Sequence, residues 1–178
     1  MPHFAVTAVG IDRPGIVASV SGVLVEHGCN LEDTSMSILR GHFTMMLLVA
    51  VPPDLTPAAL EAGLADACAA LDLVITVRAI DDEAPAPQVG QPWTVSVYGA
   101  DRPGLVHRVA TVLGGFGVNI VDLTTRVVGE TARPSYFMVL EVTIPAGVDP
   151  AGVRAALSEA GAELGVECSM HPSEADVF

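Results

Sequence analysis

The tetrapeptide Asp-Arg-Pro-Gly stands at positions 12–15 of this chain and again at 101–104. The chain has two asparagines, Asn30 and Asn119, and each lies 18 positions beyond the aspartate of its own tetrapeptide. A chain that enters a helix through a tight Pro-Gly turn presents backbone N–H groups that no carbonyl satisfies. Those groups, together with the helix dipole, attract a carboxylate or a phosphate. Gly15 and Gly104 let a ligand come close to the backbone. Asp12 and Asp101, beside the same turn, could accept hydrogen bonds from an ammonium group. An anion seat next to a carboxylate suits a zwitterion, which means an amino acid. Asparagine both donates and accepts, so Asn30 and Asn119 suit the same guest. The candidate ligand contacts are therefore Asp12, Arg13, Pro14, Gly15, Ile16 and Asn30 in the first copy, and Asp101, Arg102, Pro103, Gly104, Leu105 and Asn119 in the second. The same residues also have a structural reading, in which the aspartates cap a helix and the asparagines take a left-handed turn. Local sequence leaves both readings open.

Other chemistries find less support. All eight basic residues are arginine and 21 are acidic, giving a net charge of −13. Without lysine there is no Schiff-base nucleophile and no phosphate-loop lysine. An acidic surface repels phosphate backbones, so direct nucleic-acid binding is not expected. No GxSxG, HExxH, P-loop or GxGxxG motif occurs, and neither a catalytic residue nor a cofactor is expected. His27 and Cys29 are two possible metal ligands with no second pair, so no metal site is expected either. His107 matches Ala18 in the alignment of the copies and is not a repeated feature. Cys29, Cys68 and Cys168 are widely spaced and odd in number, which fits reduced thiols in the cytoplasm. The start of the chain lacks the basic region of a signal peptide. The longest apolar stretch, Phe43–Val51, is far short of a membrane span.

The elements that must position these residues come from a repeat. Residues 12–33 and 101–122 are identical at eleven of 22 positions. Beyond them the offset grows from 89 to 93, because the second copy carries a longer hairpin at 129–135. Residues 81–92, rich in Pro, Gly and acid, read as a linker between a first domain, 1–80, and a second, 93–178. Each copy has one order of elements. A short strand (4–9; 94–98) leads through Asp-Arg-Pro-Gly into a helix. The helix shows one apolar face: Ile16, Val17, Val20, Val23 and Leu24, or Leu105, Val106, Val109, Val112, Leu113 and Phe116. Pro14 and Pro103 fit its first turn, and Gly28 and Gly117 its left-handed end. Strands follow from Asn30 or Asn119 and over 43–51 or 136–144. A second helix starts at Thr56-Pro57 or Asp149-Pro150, and a last strand (73–80; 166–170) closes the copy. The order βαββαβ, twice over, is an α+β arrangement of two ferredoxin-like sandwiches in tandem. The strand Phe43–Val51 is apolar on both faces, and so, mostly, is Tyr136–Leu140. That implies a covered outer sheet face and a homo-oligomer, as a dimer.

Asp-Arg-Pro-Gly, an apolar helix and then Gly-x-Asn-[Leu/Ile] at a strand start resemble the ACT domain, in both copies. A short chain of two such units is similar to the stand-alone tandem-ACT proteins, among them the glycine cleavage system transcriptional repressors. The resemblance implies a non-catalytic regulator that binds a small amino acid at interfaces between ACT units. It also implies action through a partner protein, with transcriptional control of glycine metabolism as one setting. In serine-binding members the position matching Asp12 and Asp101 is an amide residue that contacts the ligand, and the position matching Asn30 and Asn119 contacts it too. A ligand-contacting histidine two positions earlier is replaced here by Gly10 and Gly99. A module that pairs with itself or with a regulator, without a ligand, is the alternative.

Overall fold

The computed structural model describes residues 1–80, 89–128 and 135–173. The chain divides into two compact units, Met1–Pro85 and Ala86–Phe178. The first contains β1 (His3–Ile11), α1 (Ile16–Glu26), β2 (Asn30–Leu39), β3 (His42–Ala50), α2 (Pro57–Ala67), a 3₁₀ turn (Ala69–Leu71) and β4 (Val74–Ile80). Its antiparallel sheet runs β2-β3-β1-β4. The second contains β5 (Gly90–Ala100), α3 (Leu105–Gly115), β6 (Asn119–Val128), β7 (Ser135–Pro145), α4 (Pro150–Leu164) and β8 (Val166–Pro172), with sheet order β6-β7-β5-β8. Both are βαββαβ ferredoxin-like sandwiches. β5 takes in Gly90, Gln91 and Pro92, which the composition assigns to the linker. Positions 81–88 of that linker and 129–134 of the longer hairpin lie outside the described residues.

The core of the first unit is one sheet face against two helices. Alternate residues Phe4, Val6 and Ala8 of β1 and Phe43, Met45, Leu47 and Val49 of β3 point inward. They meet Ile16, Val20, Val23 and Leu24 of α1 and Leu60 and Leu64 of α2. The second unit repeats this with Val95, Val97, Met138, Leu140 and Val142 against Leu105, Val109, Leu113, Val153 and Leu157. Val17 belongs to the apolar face by spacing but is 48% exposed, since it sits at the edge of the buried stripe.

The caps explain where the helices stop and start. Cys29 N–H donates to the Leu24 carbonyl and Gly28 N–H to that of Val25, with Gly28 at φ 68°. This Schellman closure recurs where Val118 N–H donates to Leu113 and Gly117 N–H to Gly114. Thr56 caps α2 through its Oγ1, and Asp149 caps α4 through its Oδ1. The first helices begin two residues later than their prolines lead one to expect. Gly15 (φ 96°, ψ −10°) and Gly104 (φ 90°, ψ −2°) are the N-caps, so Pro14 and Pro103 precede the helix. Those angles are those of the third residue of a type II turn, whose second position proline favours.

The two outer sheet faces differ. On the first, Val9, Ile11, Met46 and Val74 are all exposed apolar residues. On the second, Phe137 and Val139 of β7 give way to Glu141 and Thr143, so β7 is not apolar on both faces along its whole length.

Candidate functional site

The two Asp-Arg-Pro-Gly loops fold alike. After β1, the Asp12 backbone N–H donates to the Gly41 carbonyl of the β2–β3 hairpin at 2.9 Å. The chain then turns at Pro14-Gly15 into α1. The first helical bond runs from Ser19 N–H to the Gly15 carbonyl, and from Arg108 N–H to Gly104 in the second unit. The N–H groups before these have no carbonyl one turn back. No side chain caps either helix, and neither first turn carries an acid. Asp12 and Asp101 are exposed beside these starts without capping them. Each site thus offers bare backbone donors under a helix dipole with one carboxylate nearby.

The arginines of the motif turn the other way. Arg13 Nη1 donates to the Ala70 carbonyl in the turn after α2. A methyl group at Gly165 would stand 3.6 Å from Arg102 Nη2, so Arg102 lies over the end of α4. Both cations therefore sit where the second helix of their own unit ends, which the helix dipole favours.

Gly10 and Gly99 have a packing cause. A Cβ on Gly10 would lie 2.6 Å from Leu73 Cδ2 and 2.9 Å from the Asp72 carbonyl oxygen. One on Gly99 would lie 2.7 Å from Val166 Cγ1 and 2.9 Å from its Cα. The start of the last strand occupies the space that a side chain would need.

Asn30 and Asn119 do not meet the loop of their own unit. Asn30 pairs with Ala50, which also pairs with His3, at one end of the sheet. The loop leaves from the other end, where Ile11 pairs with His42. With roughly 3.3 Å per strand residue, these ends are about 26 Å apart. The 18-residue spacing is one helix travelled back along the sheet, so it separates the two residues. Both asparagines are exposed strand residues, and among the described residues only Arg40 and Asp72 are non-glycines with positive φ. The left-handed place is taken by Gly28 and Gly117 instead.

The second loop has features the motif does not show. A cavity of about 460 Å³ there is lined by Asp101, Arg102, Gly104, Leu105, His107 and Tyr136, among others. Tyr136 replaces Phe43, which is 1% exposed, and His107 replaces Ala18. The sequence signal for Tyr136 is this one hydroxyl difference between aligned repeats. Burial raises the thiols of Cys29, Cys68 and Cys168 above their ordinary value, which keeps them protonated and unreactive. Among the described residues no group of three or more His, Cys, Asp and Glu could hold a metal ion, and no helix is long and apolar enough to cross a membrane.

Comparison with known proteins gives the family of the two units. Family models described as ACT domain match residues 3–78 and residues 93–152. The chain is 28% identical over 171 residues to the glycine cleavage system transcriptional repressor of Escherichia coli, covering 95% of this chain and 89% of that one. It is 29% identical to phosphoserine phosphatase SerB2 of Mycobacterium tuberculosis over 93% of its own length but 39% of the phosphatase. Among solved structures, a protein of unknown function from Galdieria sulphuraria superposes with a TM-score of 0.80 at 27% identity, covering 97% of this chain and 99% of that one.

Proposed function

This chain belongs to the ACT-domain family, with two such domains in tandem, and from that premise we propose that it is a non-catalytic regulator that binds a small amino acid. Tandem ACT domains and likeness to a transcriptional repressor support a regulatory, ligand-binding role. The observation that carries the finer reading is the start of α1 and α3. Each is capped by a bare glycine, with free N–H groups and an uncommitted aspartate beside it. The ligand's carboxylate takes the N–H groups, and its ammonium takes Asp12 or Asp101. Asn30 and Asn119 stand at the far end of their own sheets, so they serve a loop of a second copy of the chain. A site shared between two copies of the chain gives a ligand different affinities for the paired and unpaired states, which is what a population shift requires. A partner protein reads that shift in the cytoplasm; control of glycine metabolism is the setting that the E. coli relative's name supplies.

A second reading, a ligand-free interaction module, is favoured by one observation, the apolar outer face of the first unit. Thermal melts in each of the twenty amino acids separate the two. A ligand present at about 100 times its Kd adds about 2.7 kcal/mol of stability. The proposal expects a rise of that size with at least one small amino acid; no rise with any of them favours the module.

A further inference from the structure

Directly paired residues in a sheet share a face, and one row across the second unit has changed chemistry. Asp122 pairs with Glu141, Glu141 with Thr94 and Thr94 with His171. The matching row of the first unit is Asp33, Leu48, Ala5 and Arg78. An apolar centre has become a carboxylate and a hydroxyl, and the arginine a histidine. Thr143 and Ser173, aligned with Ala50 and Ile80, extend the change, and Ser173 Oγ lies 2.8 Å from Thr94 Oγ1. Thr94, Glu141, Thr143, His171 and Ser173 together line a cavity of about 720 Å³, in the size range of small-molecule sites.

We propose that this cavity is a second ligand site, on the outer face of the second unit, built for an amine on an apolar stem. Glu141 brings the negative charge to the lining, no arginine lines it, and Asp122 stands directly opposite Glu141 on the neighbouring strand. Like charges on directly paired positions cost stability, and a bound cation offsets that cost. The cation is not a metal ion, because no group of three or more such ligands converges among the described residues. An ammonium needs only one carboxylate and a few acceptors. Thr94, Thr143 and Ser173 supply hydroxyl oxygens, the His171 imidazole a ring nitrogen, and Val121 and Pro172 an apolar wall. The site is separate from the loop at 101–105. Thr94 is six residues before Ala100, or about 20 Å along β5.

Protein-observed NMR on the full chain tests this, with n-alkylamines from propylamine to hexylamine as probes and the matching alkyl carboxylates as controls. The chain has a single tryptophan, Trp93, whose ring packs on the core face of the sheet with the Arg154 guanidinium 5.9 Å from its centre, so its indole resonance reports that each variant stays folded. The proposal expects saturable shifts of the amides of Thr94, Glu141 and His171 with amines. It expects affinity that grows with stem length and no response to carboxylates. Glu141→Gln and Glu141→Leu each weaken binding about tenfold or more, the scale of losing a charged hydrogen-bond partner. Thr94→Ala, which restores the residue of the first unit, weakens it less, and Asp101→Asn leaves it unchanged. The absence of saturable shifts, equal binding of carboxylates, or unchanged affinity in folded Glu141→Gln and Thr94→Ala overturns it. So does loss of amine binding in Asp101→Asn, which assigns the amine to the loop.

Discussion

At Gly10 and Gly99 the missing side chain is enforced by its neighbours rather than permitted by them. Backbone atoms of Asp72 and Val166 stand within 2.9 Å of where a Cβ would be, and backbone cannot rotate away. Gly10→Ala and Gly99→Ala are therefore expected to cost about 1–3 kcal/mol each, as overpacked cores do, read from urea midpoints. A midpoint unchanged in both would remove the packing cause. The motif reading finds these glycines as departures from a family pattern, but their cause lies in residues more than sixty positions away, which no local pattern contains. The arginines are similar. Arg13 and Arg102 are adjacent to the turn in sequence, yet each faces the end of the second helix. The thiols give a dependence on pH. Burial raises all three in the folded state, so an unfolded thiol ionises first. Their contribution to stability is complete below the ordinary thiol pKa of about 9 and falls as pH rises beyond it. Urea midpoints at pH 8 and 10 should drop more steeply in the native chain than in Cys68→Ala; equal slopes contradict this.

Among elements, the helices and their ends were the most legible. Gly28, Gly117, Thr56 and Asp149 are short-range signals, and each does the capping that its type and place imply. Pro14 and Pro103 misplace the helix start by two residues, because Pro-Gly satisfies both a helix's first turn and a type II turn. Only the positive φ of the next residue decides between them. The bulges between Leu31 and Asp33 and between Ile120 and Asp122 leave no mark in composition, since they arise from register against β3 and β7. Two cap tests follow. Gly15→Ala and Gly104→Ala meet no atom within 4 Å, so their cost is backbone strain alone, about 1 kcal/mol, and asparagine there should recover part of it. Thr56→Ala and Asp149→Ala lose a side-chain bond to Ala59 and Ala151 and should also cost about 1 kcal/mol each. Denaturant midpoints check both. A Gly15→Ala chain as stable as the parent would argue against the left-handed cap.

Over the whole molecule, duplication makes the fold legible, and the differences between the copies mark where the two units have diverged. The repeat fixes the element order, and eleven identities in 22 residues place both loops at once. What the sequence conceals is direction. Asp12 and Asn30 look like neighbours in a motif, but α1 carries the chain back along the sheet and sets them at opposite ends. Within one unit Asp12 and Asn30, like Asp101 and Asn119, do not come together at one site. The copies have also diverged, with His107 and Tyr136 at the second loop and a polar row across the outer face of the second sheet. The most direct measurement is calorimetric titration of the full chain with whichever amino acid stabilises it most in the melts, repeated on the double variant Asn30→Ala, Asn119→Ala. The account expects each site to lose about 1–3 kcal/mol of binding, the cost of removing a buried polar partner. A double variant that binds as tightly as the parent contradicts it.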